Sequence, residues 1–278
     1  MLAHRILCHF GQDSFGVFDN FPPVIQSMSL SASQAAEFEE NGYLIIKQLV
    51  SPANCERMLA VTQQQLQHPV EPLEYEADVG YPGAPSSRDA LGGKTIRRLR
   101  GAYHRDPSYQ AWAEDPAQVE RLEQLLGEKV ALSLAHHNCV MTKHPHFGTA
   151  TGWHRDIRYW SFMRSDLVCV WLALAPETAQ NGGLKFIPGS HKLQLQPEQM
   201  DEQDFLRPDV EANQPIFARG KQVELDKGDV VFFHSRLFHA AGRNDTDNVK
   251  TSVVFAYRGV SNLPIPGSRS AAAGEVLL

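Results

Sequence analysis

Lys227-Gly228-Asp229-Val230-Val231-Phe232-Phe233-His234 is the stretch on which the fold turns. Gly228 and Asp229 are turn residues, and the apolar run behind them has the length of a strand bounded by a turn rather than that of a helix. The same unit recurs in the runs at 130–142, 151–157, 166–175, 184–187, 222–226 and 250–258, with Asn181-Gly182-Gly183 as a further tight turn. Many short strands without helices between them predict an antiparallel sandwich or barrel of jelly-roll type.

Upstream the signals change. Ser31 with Gln34 three residues on is a capping-box signature and Gly42 a helix terminator, so a short helix is expected over residues 32–40, followed by a strand at Tyr43-Leu44-Ile45-Ile46. Ser51-Pro52 starts a second helix running to about Gln67, and Asp106-Pro107 and Asp115-Pro116 repeat the device, with Gly127 closing the last helix. Between them, Pro69, Pro72, Gly80, Pro82, Gly83, Pro85, Gly92 and Gly93 predict a long irregular loop over residues 70–95, read as a flexible cover over a site. The expectation is an α+β chain, mainly β: a helical part at 28–129 flanking a jelly-roll core at 130–260, in one domain at 28–278. Met28 opens a stretch that resembles a natural start, and residues 1–27 read as a loosely held extension.

The chain has 278 residues, 42% of them apolar, enough to bury a sizeable core. Its net charge of −6 has no long runs of either sign, which argues against nucleic acid or an anionic membrane as partner and for a small-molecule substrate. No protein partner is evident. The four cysteines, Cys8, Cys55, Cys139 and Cys169, form no CxxC pair, so neither a zinc site nor a disulfide framework is suggested, and a reducing cytoplasm fits best.

The chemistry centres on Trp153-His154-Arg155-Asp156-Ile157 and on His239, 85 positions after His154. On an extended strand His154 and Asp156 project from one face while Arg155 points away, so both can reach one metal ion. With His239 they make two imidazoles and one carboxylate, the ligand set that leaves three positions open in non-haem Fe(II) oxygenases. Taken alone, the His-x-Asp pair is weak evidence, because a strand histidine often only satisfies a hydrogen bond.

The wider sequence resembles the phytanoyl-CoA dioxygenase family of Fe(II)- and 2-oxoglutarate-dependent oxygenases. The residues that carry the resemblance are Lys143-His144-Pro145, Gly152-Trp153-His154-Arg155-Asp156, Trp171-Leu172-Ala173-Leu174, the run from Asn181-Gly182-Gly183-Leu184 through Pro188-Gly189-Ser190-His191-Lys192, Gly228-Asp229-Val230-Val231-Phe232-Phe233-His234 and His239-Ala240-Ala241-Gly242-Arg243-Asn244. They stand in the family's order and cover roughly residues 30–260. The resemblance implies a double-stranded β-helix, cupin-like, with Fe(II) held by His154, Asp156 and His239 and with 2-oxoglutarate and O2 as co-substrates. It also favours His239 over His234, five residues earlier, as the distal ligand. Asp156 makes a halogenase unexpected, since chloride-transferring relatives free that position.

Relatives usually place an arginine on the strand after the distal histidine to meet the distal carboxylate of 2-oxoglutarate. Here Lys250 stands at that place, with Ser252 on the same strand face and Arg258 as a second candidate on the same alternation. A lysine neutralises the carboxylate as a point charge but lacks the fork of arginine. Lys143 and Trp171 match pocket positions of relatives, and Thr151 is placed to donate a hydrogen bond to the co-substrate; each residue also has a plain structural role open to it. Arg97, Arg98 and Arg100 are candidates for holding an anionic substrate, or else form a solvated strand edge. His136, His137, His144 and His146 match no second metal site.

The resulting expectation is a dioxygenase that hydroxylates a small organic metabolite with release of succinate and CO2. The alternatives are a non-catalytic jelly-roll metal- or ligand-binding protein or sensor, and an iron oxygenase indifferent to 2-oxoglutarate. The sequence identifies no substrate.

Overall fold

A computed structural model describes residues 28–278; the expected N-terminal extension at 1–27 lies outside the described residues. The helix signals act where the sequence places them. Ser31 caps α1 (Ala32–Asn41) by accepting from the Gln34 amide at 3.2 Å while the Gln34 side chain accepts from the Ser31 amide at 2.9 Å, and Gly42 closes it at φ +79°. After β1 (Tyr43–Ile46), α2 (Pro52–Gln67) starts on Ser51 with Pro52 in its first turn.

The Gly/Pro-rich segment is less irregular than expected. Within it β2 (Leu73–Tyr75) pairs with β3 (Ile96–Arg100), and a 3-10 turn spans Glu76–Asp78. Tyr81 is buried from this segment, and Arg88 clamps Asp78 at 2.8 Å. The proline and glycine spacing hid a strand whose partner comes about 25 residues later. α3 (Pro107–Ala113) and α4 (Pro116–Leu126) follow on their Asp106 and Asp115 caps. The stretch expected to be helical thus gives four helices and three strands that extend the main sheet.

The remaining strands are β4 (Val130–Lys143), β5 (Thr151–His154), β6 (Leu167–Ala173), β7 (Leu184–Phe186), β8 (Lys221–Gln222), β9 (Val230–His234), β10 (His239–Ala241), β11 (Lys250–Gly259) and β12 (Glu275–Leu277). Among the described residues, eight strands form one antiparallel sheet in the order β1-β9-β6-β11-β4-β3-β2 with β12 also on β4, and four form a second in the order β5-β10-β7-β8. The run expected at 222–226 shrinks to the two residues of β8, after which Leu225 only bridges to Glu177. The strand expected over 151–157 ends at His154.

Side-chain alternation assigns the two faces of the large sheet. Val168, Val170, Leu172, Val230, Phe232, Val253 and Phe255 pack with Phe38, Met58, Tyr109, Trp112 and Leu122 of the helices. Cys169, Trp171, Val231, Phe233, Val254 and Ala256 face the small sheet, meeting Leu184 and Phe186 of β7. A sheet buried on both faces reads as continuous apolar runs, which is why these strands stood out in the sequence. The two sheets form the double-stranded β-helix, and its metal-ligand candidates lie on the face of the small sheet turned toward the large one.

Candidate metal centre

In the small sheet His239 of β10 is the register partner of His154 of β5 on one side and of Phe186 of β7 on the other. Direct pairing sets the two imidazoles on one face, ring centroids 4.2 Å apart. Arg155 continues extended at φ −116°, ψ 136°, so Asp156 turns back to the same side before a 3-10 turn over Asp156–Tyr159 redirects the chain. His154 Nε2 and His239 Nε2 lie 3.6 and 3.5 Å from Asp156 Oδ1. All three residues are buried, Asp156 to 1% exposure.

The donor chemistry fits a metal ion. His154 Nδ1 is 2.9 Å from the Gly152 carbonyl and His239 Nδ1 is 3.0 Å from the Leu237 carbonyl. A carbonyl only accepts, so each Nδ1 carries a proton and each ring turns its Nε2 toward Asp156. Burial lowers the His239 imidazole, but Asp156 outweighs it and raises it above its ordinary value, so a metal bound here would take the place of the His239 Nε2 proton. Asp156 Oδ1 is buried with no hydrogen-bond partner. Two imidazole Nε2 atoms and a carboxylate oxygen converging on one buried point need a cation between them, a proton or a metal ion. Burial and the neighbouring His239 push the His154 imidazole down to about 4, leaving it neutral at physiological pH. Burial alone would raise the Asp156 carboxyl, but His137, His239 and His154 outweigh it and hold it well below the usual range.

The other carboxylate oxygen has one hydrogen-bond partner and one near neighbour, both of which sequence reasoning missed. Cys169 Sγ donates to Asp156 Oδ2 at 3.6 Å, and His137 Nδ1 lies 3.4 Å from it. His137 reaches this place because β4 carries four extra residues between Ser133 and Asn138 relative to β11, with His136 at φ +58°. His136 stacks on Tyr159 at 3.5 Å. The visible signal was the His136-His137 pair in the middle of a strand whose other residues are mostly apolar. His234 stays apart: it accepts from the Arg236 amide and its ring faces His191 at 5.3 Å.

A cavity beside the triad is lined by Arg97, Lys143, Thr151, Trp171, Ala241 and Lys250 among others. It gathers Lys143, Thr151, Trp171 and Lys250 as expected and adds Arg97. Arg97 is therefore not at the mouth: it is 3% exposed, paired with Glu76 at 3.0 Å, and donates to Thr151 Oγ1 at 2.8 Å. Arg98 is buried too, on Glu74 at 3.2 Å, and only Arg100 is exposed. Pairing with Glu76 and Glu74, acids that the sequence does not mark as partners, is what took Arg97 and Arg98 inside. Arg98 and Arg100 line a wider cleft of mixed charge, with Arg158 and Arg269 beside Glu74, Asp78, Glu202 and Asp204. Lys250 and Ser252 both bond to a further buried residue, Glu177. Arg258 sits at the far end of β11, its Nε 3.0 Å from Glu275, and has no part in the cavity.

Over the site, Tyr81 Oη is 3.1 Å from Tyr159 Oη, and Tyr81 packs edge-on against Phe205, whose ring lies 5.5 Å from His154. Of the segment expected as a cover, Tyr81 thus stands one side chain away from the centre.

The geometry of this centre and the roll around it define a non-haem Fe(II)/2-oxoglutarate-dependent dioxygenase. The family model described as phytanoyl-CoA dioxygenase (PhyH) matches residues 38–252. Peroxisomal phytanoyl-CoA dioxygenase of Homo sapiens is 29% identical over 246 residues, covering 84% of this chain and 70% of its own. Ectoine dioxygenase of Sphingopyxis alaskensis is 26% identical over 250 residues, covering 84% and 77%. The solved structure of EctD from S. alaskensis with 2-oxoglutarate and 5-hydroxyectoine shares the fold, with a TM-score of 0.67 at 21% identity over 85% of this chain and 78% of that one. The chain belongs to the phytanoyl-CoA dioxygenase family.

Proposed function

We propose that this dioxygenase hydroxylates a small organic metabolite, with 2-oxoglutarate converted to succinate and CO2, and that His154, Asp156 and His239 hold the Fe(II). The observation that carries the reading is the meeting of two imidazole Nε2 atoms and a carboxylate oxygen without a hydrogen-bond partner at one buried point, from segments 85 positions apart. Ferrous iron bound there supplies the redox centre at which O2 and 2-oxoglutarate are consumed.

The protein's own groups do the rest. The Gly152 and Leu237 carbonyls fix which imidazole nitrogen faces the metal, and Cys169 and His137 engage Asp156 Oδ2 so that Oδ1 alone is free. Ligands on one side leave the opposite side for small molecules. Lys143, Thr151 and Trp171 line the place of 2-oxoglutarate, with Lys250 and Ser252 in its wall. Tyr81, Tyr159 and Phe205 screen the centre from water. Arg100, the exposed one of the three arginines, is left to meet an anionic group of the substrate in an outer cleft that acidic residues share, Arg98 being matched by Glu74.

The three described cysteines are unpaired and buried, which supports a reducing location such as the cytoplasm. Among the described residues no helix is long and apolar enough to cross a membrane.

The test is succinate release from 2-oxoglutarate under Fe(II), O2 and ascorbate, screened over candidate metabolites. Stimulation by one compound, with hydroxylated product in equal amount, is expected. No succinate under any condition would defeat the proposal.

A further inference from the structure

The lysine expected to receive the distal carboxylate of 2-oxoglutarate is already matched from inside the protein. Lys250 Nζ lies 3.0 Å from Glu177 Oε2, while Glu177 Oε1 accepts from the Ser252 hydroxyl at 2.5 Å and from the Trp171 indole N–H at 2.8 Å. Glu177 is fully buried, and its backbone is held by two hydrogen bonds exchanged with Leu225, at 2.8 and 3.0 Å. Lysine, serine and tryptophan, the groups on this wall able to read a carboxylate, all read Glu177.

Across the ladder the situation reverses. Lys143 of β4 is the direct register partner of Lys250 of β11, and both are buried on the inner face. Like charges opposite one another in a sheet destabilise it unless an anion separates them. Lys143 Nζ reaches only the carbonyls of Thr149 and Gly242 and makes no ion pair among the described residues. Around the cavity Arg97 is balanced by Glu76 and Lys250 by Glu177, which leaves Lys143 as the basic group without an ion-pair partner. Gly182 packs so closely on the Lys143 stem that an added Cβ would lie 2.6 Å from its Cδ, so the side chain is held in place. Burial, with Arg97 and Lys250 nearby, pulls the Lys143 ammonium well below its usual range, and a bound carboxylate would restore its charge.

We propose that Lys143, not Lys250, anchors the distal carboxylate of the co-substrate, and that Glu177 is the internal counter-ion that withdraws Lys250 from that task. The inference rests on the assignment of 2-oxoglutarate to this cavity. It accounts for the lysine at position 250: a point charge suffices where the partner is a fixed protein carboxylate on one oxygen.

The test is calorimetric titration of 2-oxoglutarate into the full chain loaded with Ni(II), which reads binding without turnover, alongside 2-oxopentanoate, which has a methyl group in place of the distal carboxylate. Wild type is expected to prefer 2-oxoglutarate by about 10- to 100-fold, the worth of one charged hydrogen bond. Lys143→Met should abolish that preference, and Lys143→Gln serves as a second variant should the first fold poorly. The double variant Lys250→Met/Glu177→Gln removes the internal pair as a unit and should keep the preference. Preference lost in the double variant and kept in Lys143→Met would overturn the inference alone. Equal binding of both acids by wild type would also overturn it. Absence of 2-oxoglutarate binding by wild type would instead overturn the assignment of the cavity on which it rests.

Discussion

Removing His239 should erase the stabilisation that a metal ion gives this fold, and removing His234 should not. A ligand present at 100 times its Kd stabilises the native state by about 2.7 kcal/mol. For a chain of this size that is a rise of about 5–10 °C in Tm. Loss of a group that merely supports a ligand costs about 10- to 100-fold in metal affinity, so loss of the ligand itself costs at least about 100-fold. At the same metal concentration the gain then falls to about 0.4 kcal/mol, a shift of about 1 °C.

His239 also packs between Phe186 and Phe233, with ring centroids at 6.2 and 5.2 Å, so His239→Ala lowers the metal-free Tm as well. The quantity to compare is therefore the increment between metal-free and metal-loaded protein, measured anaerobically with Fe(II) by scanning calorimetry. His234, whose ring rests on His191, should keep the full increment when changed to alanine. An increment that survives in His239→Ala and vanishes in His234→Ala would refute the assignment of the three ligands.

The two groups on Asp156 Oδ2 should matter without being ligands: Cys169→Ala and His137→Phe should each weaken Fe(II) binding by about 10- to 100-fold in a competition titration, and unchanged affinity would remove them from the centre. Gly182 stands at φ +77° and a Cβ there would lie 2.7 Å from the Gly242 carbonyl, so Gly182→Ala should cost about 2–4 kcal/mol in urea unfolding; a loss below about 1 kcal/mol would show that the turn relaxes. Burial pushes the Asp229 carboxyl up, but Lys47 at 2.7 Å and the amides of Asp226 and Gln48 hold it below its usual range. Its contribution is therefore complete above the unfolded-state value of about 3.9 and fades as pH falls through the lower native value. Asp229→Asn should cost about 1.5–3 kcal/mol at pH 7 and progressively less on acidification below pH 4, measured by urea melts; a constant difference would refute the linkage.

Local rules made much of the architecture legible. Ser31, Ser51, Asp106 and Asp115 start helices because a cap needs only residues close in sequence, and Gly42 and Gly127 end them for the same reason. The doubly buried strands announced themselves by composition. What stayed hidden had distant partners: β2 inside a proline-rich segment, β10 with its unremarkable His-Ala-Ala, and the four-residue excursion that carries His137 to Asp156. The charges behaved alike. Arg97 read as a surface cation until Glu76 and Thr151 closed on it, and nothing near Glu177 in the chain reveals that it meets Lys250, 73 positions later.

By itself, then, the sequence determined the jelly roll and the types of side chain that meet at its centre, because strand alternation and turn chemistry are set by neighbours a few residues apart. Only the tertiary structure decided which histidine faces Asp156, which oxygen of Asp156 is left free and which lysine lacks a counter-ion. Those are properties of distance between groups from different strands, and electrostatic interaction depends on separation in space, which the order of residues along a chain does not specify.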